Sequence, residues 1–311
     1  MKTSNKDLKD KILKMISAYK DGKNVMEFAR DNFNSKGENS IFSILLSYDL
    51  QSGSYNRLVN NDQKKSNFYT KWGKQLAEIL LKFSDTNSSF LEVGCGECTS
   101  MKSILSHFDK GKSQFYGFDL SWSRIYEGRD YLPNDSNVEL FVADLFSIPF
   151  ADNSIDIVYT SHSLEPNGGR EKEAIEELLR VSKNKVILFE PIYELSSSEQ
   201  KKRMEFHGYV KNLKSIAEKF ETNILLYELL PIISNPMNAS GVIVIEKKNN
   251  KEKEQKFEKN ILWQCPITDS LLTKQENYFI NNEVGLAYPI LKEIPLLQKE
   301  HVIIASKLIH K

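Results

Sequence analysis

The strongest constraint on this chain is its rhythm. From residue 89 onward, short apolar runs alternate with stretches of helical period. The runs at 89–93, 114–118, 139–143, 155–160 and 186–189 read as strands, and 99–107, 121–131 and 172–181 read as helices between them. A strand repeatedly followed by a helix rejoins the same sheet through a crossover, so the pattern demands a parallel sheet with helices on both faces. A further helix is expected over 197–220. Apolar runs at 224–230 and 241–246 follow it, close enough in sequence to pair antiparallel at the sheet edge.

At 311 residues the chain exceeds one average domain, so a principal domain with smaller attachments is expected. Apolar residues at helical spacing (Leu8, Ile12, Leu13, Ile16, then Val25, Met26, Phe28, Ala29) predict two amphipathic helices over 6–30. A third is expected up to about Leu50, before Gly53 stops it, and a longer one over 67–83 with Phe68, Trp72, Leu76, Ile79 and Leu80 on one face. Residues 1–66 are therefore read as an N-terminal helical cap and 67–247 as the principal domain. The charge-dense run at 248–260 reads as a solvated linker. Beyond it, 261–311 carries short apolar runs broken by prolines, as in a small mostly-β module.

Lys+Arg and Asp+Glu both number 42, so no whole-chain field draws the protein to nucleic acid or an anionic membrane. The three cysteines, Cys95, Cys98 and Cys265, read as a reducing compartment rather than a disulfide framework. The first twenty residues hold no apolar stretch long enough for a signal peptide, and no later segment could span a bilayer. A soluble, cytoplasmic protein is expected, with homo-oligomerisation left open.

The first strand runs into a glycine turn, "FLEVGCGECTS" at 90–100, which opens a helix. Such a turn lets backbone N–H groups approach a ligand closely. The dinucleotide spacing would need glycine where Thr99 stands, and no Gly-Lys-Ser/Thr follows for a phosphate loop. Glu92, two residues before Gly94, would repel a pyrophosphate yet suits a ligand that presents an ammonium. Asp119 ends the second strand, where a carboxylate can accept from two ribose hydroxyls. Asp144 ends the third, placed to accept from an adenine amino group. Each acid alone could be a helix cap or turn residue. Three in order at successive strand ends point to a nucleoside bearing an ammonium and a sulfonium, S-adenosylmethionine.

On these residues the sequence resembles the class I S-adenosylmethionine-dependent methyltransferases over about 67–247. The stretch 90–98 is similar to the family's first motif, with Cys98 where a third glycine is usual; this is tolerable if the backbone there stays helical. "VADLFSIPFADNSIDIVYTSHSLEP" is similar to the adenine-binding loop, the fourth strand and its exit loop. The resemblance implies a Rossmann-like α/β fold with a seven-stranded sheet, six strands parallel and one antiparallel. It also implies cofactor contacts from Glu92, Gly94, Cys95, Gly96, Asp119, Leu120, Asp144, Leu145 and Ser161.

Methyl transfer from a sulfonium is an in-line displacement on an activated carbon, so the protein mainly aligns donor and acceptor and excludes water. A hydroxyl acceptor gains from a general base. His162 is the first choice by its ordinary pKa, with Glu165 beside it and Glu190 ending the fifth strand; these three are the catalytic candidates. Tyr48, Gln51 and Tyr55 in "SYDLQSGSYN", together with Asn167, His207 and Tyr209, are candidate acceptor contacts, with Asp49 a further one. The combination is similar to bacterial methyltransferases whose acceptors are read as sugars or surface-glycan precursors. Alternatives are methylation of tRNA or protein, which zero net charge disfavours for tRNA, and a non-catalytic S-adenosylmethionine-binding protein.

The tail is similar to small zinc-ribbon-like proteins related to a methyltransferase activator subunit, through "CPIT" and "LAYPILKEIPLL". A structural zinc needs about four Cys or His ligands. Cys265 stands alone and His301 and His310 are isolated, so no metal is expected and Trp263, Leu272, Tyr288, Ile290 and Ile294 should hold the module by apolar packing.

Overall fold

The computed structural model describes residues 5–33, 40–109, 112–248 and 262–309. Nearly all of the expected charged linker lies outside the described residues, as does His310.

Among the described residues five helices precede the first strand: α1 (Asn5–Lys20), α2 (Val25–Phe33), α3 (Ile41–Leu50), α4 (Ser54–Asn61) and α5 (Gln63–Phe83). Met15, Val25 and Ala29 bury themselves against Leu46 and Leu50, which binds the first three helices into a small core. α5 begins a turn earlier than its apolar stripe suggests. Asp62 explains this, because its side chain accepts from the backbone N–H groups of Lys64 and Lys65 and caps the helix. Helix α4 carries a short apolar stripe of Tyr55, Leu58 and Val59, and Gly53 does more than stop α3. With φ of 77° it turns the chain and serves as the N-cap of α4.

The alternating region builds β1 (Ser89–Val93), α6 (Thr99–Leu105), β2 (Gln114–Asp119), α7 (Trp122–Tyr131), β3 (Val138–Val142), β4 (Ile155–Ser161), α8 (Glu171–Val181) and β5 (Ser182–Pro191). Then come α9 (Ser198–His207), α10 (Leu213–Ala217), β6 (Thr222–Leu229) and β7 (Ser240–Lys247). The seven strands lie in the order β3-β2-β1-β4-β5-β7-β6. β7 runs antiparallel to both β5 and β6, and the other neighbours are parallel. This is a Rossmann-like sheet of six parallel strands and one antiparallel. Its central strands are buried on both faces, which is why they read as continuous apolar runs. β1 lies between β2 and β4, so chain order reverses there and a crevice opens at the carboxyl ends of the strands.

The single helix expected over 197–220 is broken. Gly208 takes φ of 66° as the C-cap of α9, and the chain then leaves the helix axis. The released segment pairs with the loop after β4: Gly168 N–H donates to Gly208 O and Val210 N–H to Glu165 O, at 3.1 and 3.2 Å.

The C-terminal module has five short strands, β8 (Thr273–Lys274), β9 (Tyr278–Asn281), β10 (Leu286–Leu291), β11 (Ile294–Pro295) and β12 (Ile303–Ile304). Its apolar residues pack as expected, but on the principal domain as much as on one another. Trp263 meets the rings of Tyr116, Phe141, Phe150 and Phe279. Leu296 forms a parallel bridge to Val142, and Leu297 N–H donates to Val142 O at 2.8 Å, so the module covers the β3 edge of the sheet.

Candidate active site

The glycine turn leaves β1 through left-handed backbone at Gly94 (φ 70°) and Gly96 (φ 55°). Close contacts reinforce the need for glycine. A Cβ on Gly94 would stand 2.4 Å from Ser163 Cβ, and one on Gly96 2.6 Å from Arg124 Nη2. The backbone at Cys98 does not stay right-handed: with φ 57° and ψ 22° it is the left-handed N-cap of α6. The site tolerates the side chain because α7 presents Gly128 to it, where a Cβ would lie 2.8 Å from Cys98 Sγ. Cys95 N–H donates to Phe118 O, tying the turn to β2. Glu97, buried in the turn, accepts from the N–H groups of Gly53 and Asn56 at 2.9 and 3.0 Å and so caps α4.

The three strand-end acids differ in environment. Glu92 is buried on β1 and accepts from the Tyr159 hydroxyl at 2.9 Å; burial pushes its carboxyl up to about 8. Asp119 accepts from Gly96 N–H with one oxygen and from Ser121 N–H with the other, at 3.1 and 3.0 Å. Asp144 accepts from Phe146 N–H at 3.0 Å, and burial raises its pKa. Asp49, a suspected acceptor contact, instead accepts from the Ser121 hydroxyl at 2.7 Å and fixes α3 to the start of α7.

The loop after β4 corrects the view of His162 as a free base. At φ of 56° its ring lies between two partners, Nδ1 against Glu165 Oε1 and Nε2 3.1 Å from Ser240 Oγ. Its pKa is raised; burial opposes the charged form, and the Glu165 carboxylate outweighs burial. Glu190 does not face the cleft. It is fully buried and accepts from the N–H groups of Ser163 and Leu164 at 3.0 and 3.1 Å, with burial lifting its carboxyl to about 7. Asn167 donates to the carbonyls of Ser163 and Leu164 and shapes the same loop.

Two crevices meet over this turn. The first lies between Asp119, Leu120, Asp144 and Leu145 on one side and Ile41, Ile44, Leu45 and Tyr48 of α3 on the other, with Asn167 also lining it. The second lies beside it, over the glycine turn. Glu92, Cys95, Gly96 and Ser161 line its base, Tyr55, Phe68, Tyr69 and Trp72 one wall, and His162, Glu165, Ser234, Asn235 and Asn238 its far end. Gly94 and Arg124 line both. Two expected acceptor contacts stand elsewhere: Gln51 folds back to donate to Ser47 O on its own helix, and His207 lies outside either lining. Tyr209 faces the His207 ring, with centroids 5.5 Å apart, and hydrogen-bonds Glu165 at the end of the second crevice.

Sequence reasoning missed several lining residues. Ile41, Ile44 and Leu45 carried only a helical stripe, and the 231–238 loop carried no pattern. Arg124 looks locally like any helix-surface arginine.

A parallel sheet whose order reverses beside β1, an antiparallel β7 and a glycine turn flanked by strand-end acids now stand together. Residues 90–185 match the family model of the methyltransferase domain. Residues 90–185 are a methyltransferase domain, and the sheet around them has the class I methyltransferase fold. Among solved structures, this methyltransferase domain is similar to magnesium protoporphyrin IX methyltransferase (ChlM) from Synechocystis PCC 6803 with bound SAH. That match has 15% identity and a TM-score of 0.50, and covers 71% of this chain and 99% of that one. It is also similar to the PH0226 protein from Pyrococcus horikoshii OT3, at 22% identity and a TM-score of 0.46, covering 63% and 99%. No curated protein matches the sequence. Among the described residues no helix is long and apolar enough to cross a membrane.

S-adenosylmethionine is the cofactor of such a methyltransferase domain, and the residues present fit it. Each Asp119 oxygen accepts only one backbone N–H, which leaves lone pairs for hydroxyl donors. Asp144 uses one oxygen on Phe146. Glu92 keeps a buried acceptor at the base of the second crevice. The apolar face of α3 over Asp119 and Asp144 suits the base of a nucleoside.

Proposed function

We propose that this methyltransferase modifies a polar acceptor, a sugar or surface-glycan precursor, at an oxygen or nitrogen. The carrying observation is the pair of crevices joined at Gly94 and Arg124, one closed by α3, the other walled by aromatic rings and ending in carboxylate, amide and hydroxyl groups. In this reading Asp119 accepts from the ribose hydroxyls, Asp144 from the adenine amino group, and Glu92 from the cofactor ammonium. Bound in this way, S-adenosylmethionine supplies a methyl group on a sulfonium.

The residues of the second crevice then position the acceptor. His162 is fixed between Glu165 and Ser240, and the Glu165 carboxylate raises its pKa against the effect of burial. Glu165 is the better candidate to take or orient the acceptor's proton, with His162 as its positioning partner. Tyr55, Tyr69 and Trp72 exclude water from the transfer path. Ser234, Asn235 and Asn238 offer the hydrogen bonds a sugar hydroxyl or amide requires.

The test is incubation of the protein with methyl-labelled donor and fractionated cell extract. Label is expected in a small molecule or glycan fraction. Label confined to RNA or protein refutes the acceptor class, and label in no fraction from a protein that binds the donor supports a binding role without turnover.

A further inference from the structure

Arg30, in the last turn of α2, is only 6% exposed, and its Nη1 and Nη2 are buried with no hydrogen-bond partner. Its Cζ lies 5.2 Å from the centroid of the Phe206 ring on α9. A ring face steadies a cation but accepts none of its directed N–H donors in the way a carboxylate does. About one turn earlier on α9, Arg203 donates to Asn238 Oδ1, hydrogen-bonds Tyr209 and lies 5.5 Å from the centroid of that ring. Among the described residues neither guanidinium forms an ion pair with a carboxylate. Both act on His207: burial first, then Arg203 and Arg30, hold its pKa below the ordinary value, and Glu27 and Glu165 oppose them less strongly. Arginines from two helices thus converge on one place with positive charge in excess. A buried guanidinium short of acceptors costs stability until an incoming anion completes it.

This cluster adjoins the second crevice. Glu165 and Asn238 line the far end of that crevice, and Tyr209 bridges Glu165 to Arg203. We infer that Arg30 and Arg203 form a phosphoryl-binding subsite, so that the methyl acceptor is a phosphorylated sugar held by its phosphate between α2 and α9. The inference rests on the acceptor reading above. A carboxylate brings one charge and two oxygens, whereas a phosphoryl group brings up to about two charges and three oxygens, which matches two guanidinium forks reaching it from different helices.

Calorimetry on protein saturated with S-adenosylhomocysteine tests the subsite, with inorganic pyrophosphate and succinate as probes. Wild type is expected to bind pyrophosphate at least about tenfold more tightly than succinate. Arg30→Gln and Arg203→Gln should each weaken pyrophosphate about tenfold or more, and Arg30→Lys should retain part of the affinity. Affinity for S-adenosylmethionine, measured on the same proteins, is expected to be unchanged and reports that each variant is folded. A merely structural role would leave pyrophosphate binding unaltered in the variants, and that result overturns the inference. So does a wild type that binds no pyrophosphate or does not prefer it to succinate. In the labelled-donor assay, treating the extract with phosphatase and phosphodiesterase should abolish label in the small-molecule and glycan fractions. Label that survives the treatment leaves the sugar acceptor standing and overturns its phosphorylation. Label confined to RNA or protein refutes the acceptor reading itself, and the inference falls with it.

Discussion

At the residue scale, the acids at the strand ends do structural work beside the ligand-binding role proposed for them, and this changes what their substitution does. Glu92 holds its proton up to about pH 8 because burial penalises the carboxylate. An ammonium ligand needs the ionised form. Cofactor affinity measured by calorimetry is therefore expected to rise between about pH 6 and 8.5 in wild type and to stay flat in Glu92→Gln. Stability moves the other way: the folded group keeps a proton that the unfolded group releases near 4.5. Its contribution is complete below that value and is lost as pH rises through about 8, so urea unfolding of Glu92→Gln should lack this slope. Asp119→Ala bears on the fold as well as on the cofactor. Because it leaves the N–H groups of Gly96 and Ser121 unpaired, it should cost about 1–3 kcal/mol in denaturant unfolding besides weakening the cofactor. Asp119→Asn keeps an acceptor oxygen and should separate the two effects.

At the element scale, the turn that leaves β1 also organises the cap. Glu97 provides the acceptors for the first amides of α4, so Glu97→Ala is expected to lose about 1–3 kcal/mol. Hydrogen exchange should show the amides of Gly53 and Asn56 losing protection before those of the sheet; equal protection in mutant and wild type would refute this capping role. The strands were legible because burial on both faces writes a continuous apolar run. Helix α4 and the break at Gly208 were not legible for the opposite reason. Both depend on one backbone residue whose partners, Glu97 in one case and Gly168 in the other, come from distant sequence.

At the scale of the whole molecule, the module and the methyltransferase domain share one aromatic core. Trp263 joins Tyr116, Phe141 and Phe150 of the domain to Phe279 of the module. Shared burial couples their stabilities, so the described parts of both are expected to unfold together in wild type. Trp263→Ala should cost about 3–5 kcal/mol. It should also split the denaturant transition, with the module melting first. A single unshifted transition in that variant would show that the Trp263 contact adds little.

Local chemistry alone determined the layer architecture, the glycine turn and the order of Glu92, Asp119 and Asp144, because period, turn residues and strand ends are properties of neighbours in sequence. Tertiary structure decided which candidates meet. It withdrew Gln51 and Glu190 from the cleft by giving them backbone partners, set His162 between Glu165 and Ser240, and brought Arg124 over the turn. Those outcomes depend on contacts between residues far apart in the chain, where nothing in a local window distinguishes a buried, waiting charge from one that faces water.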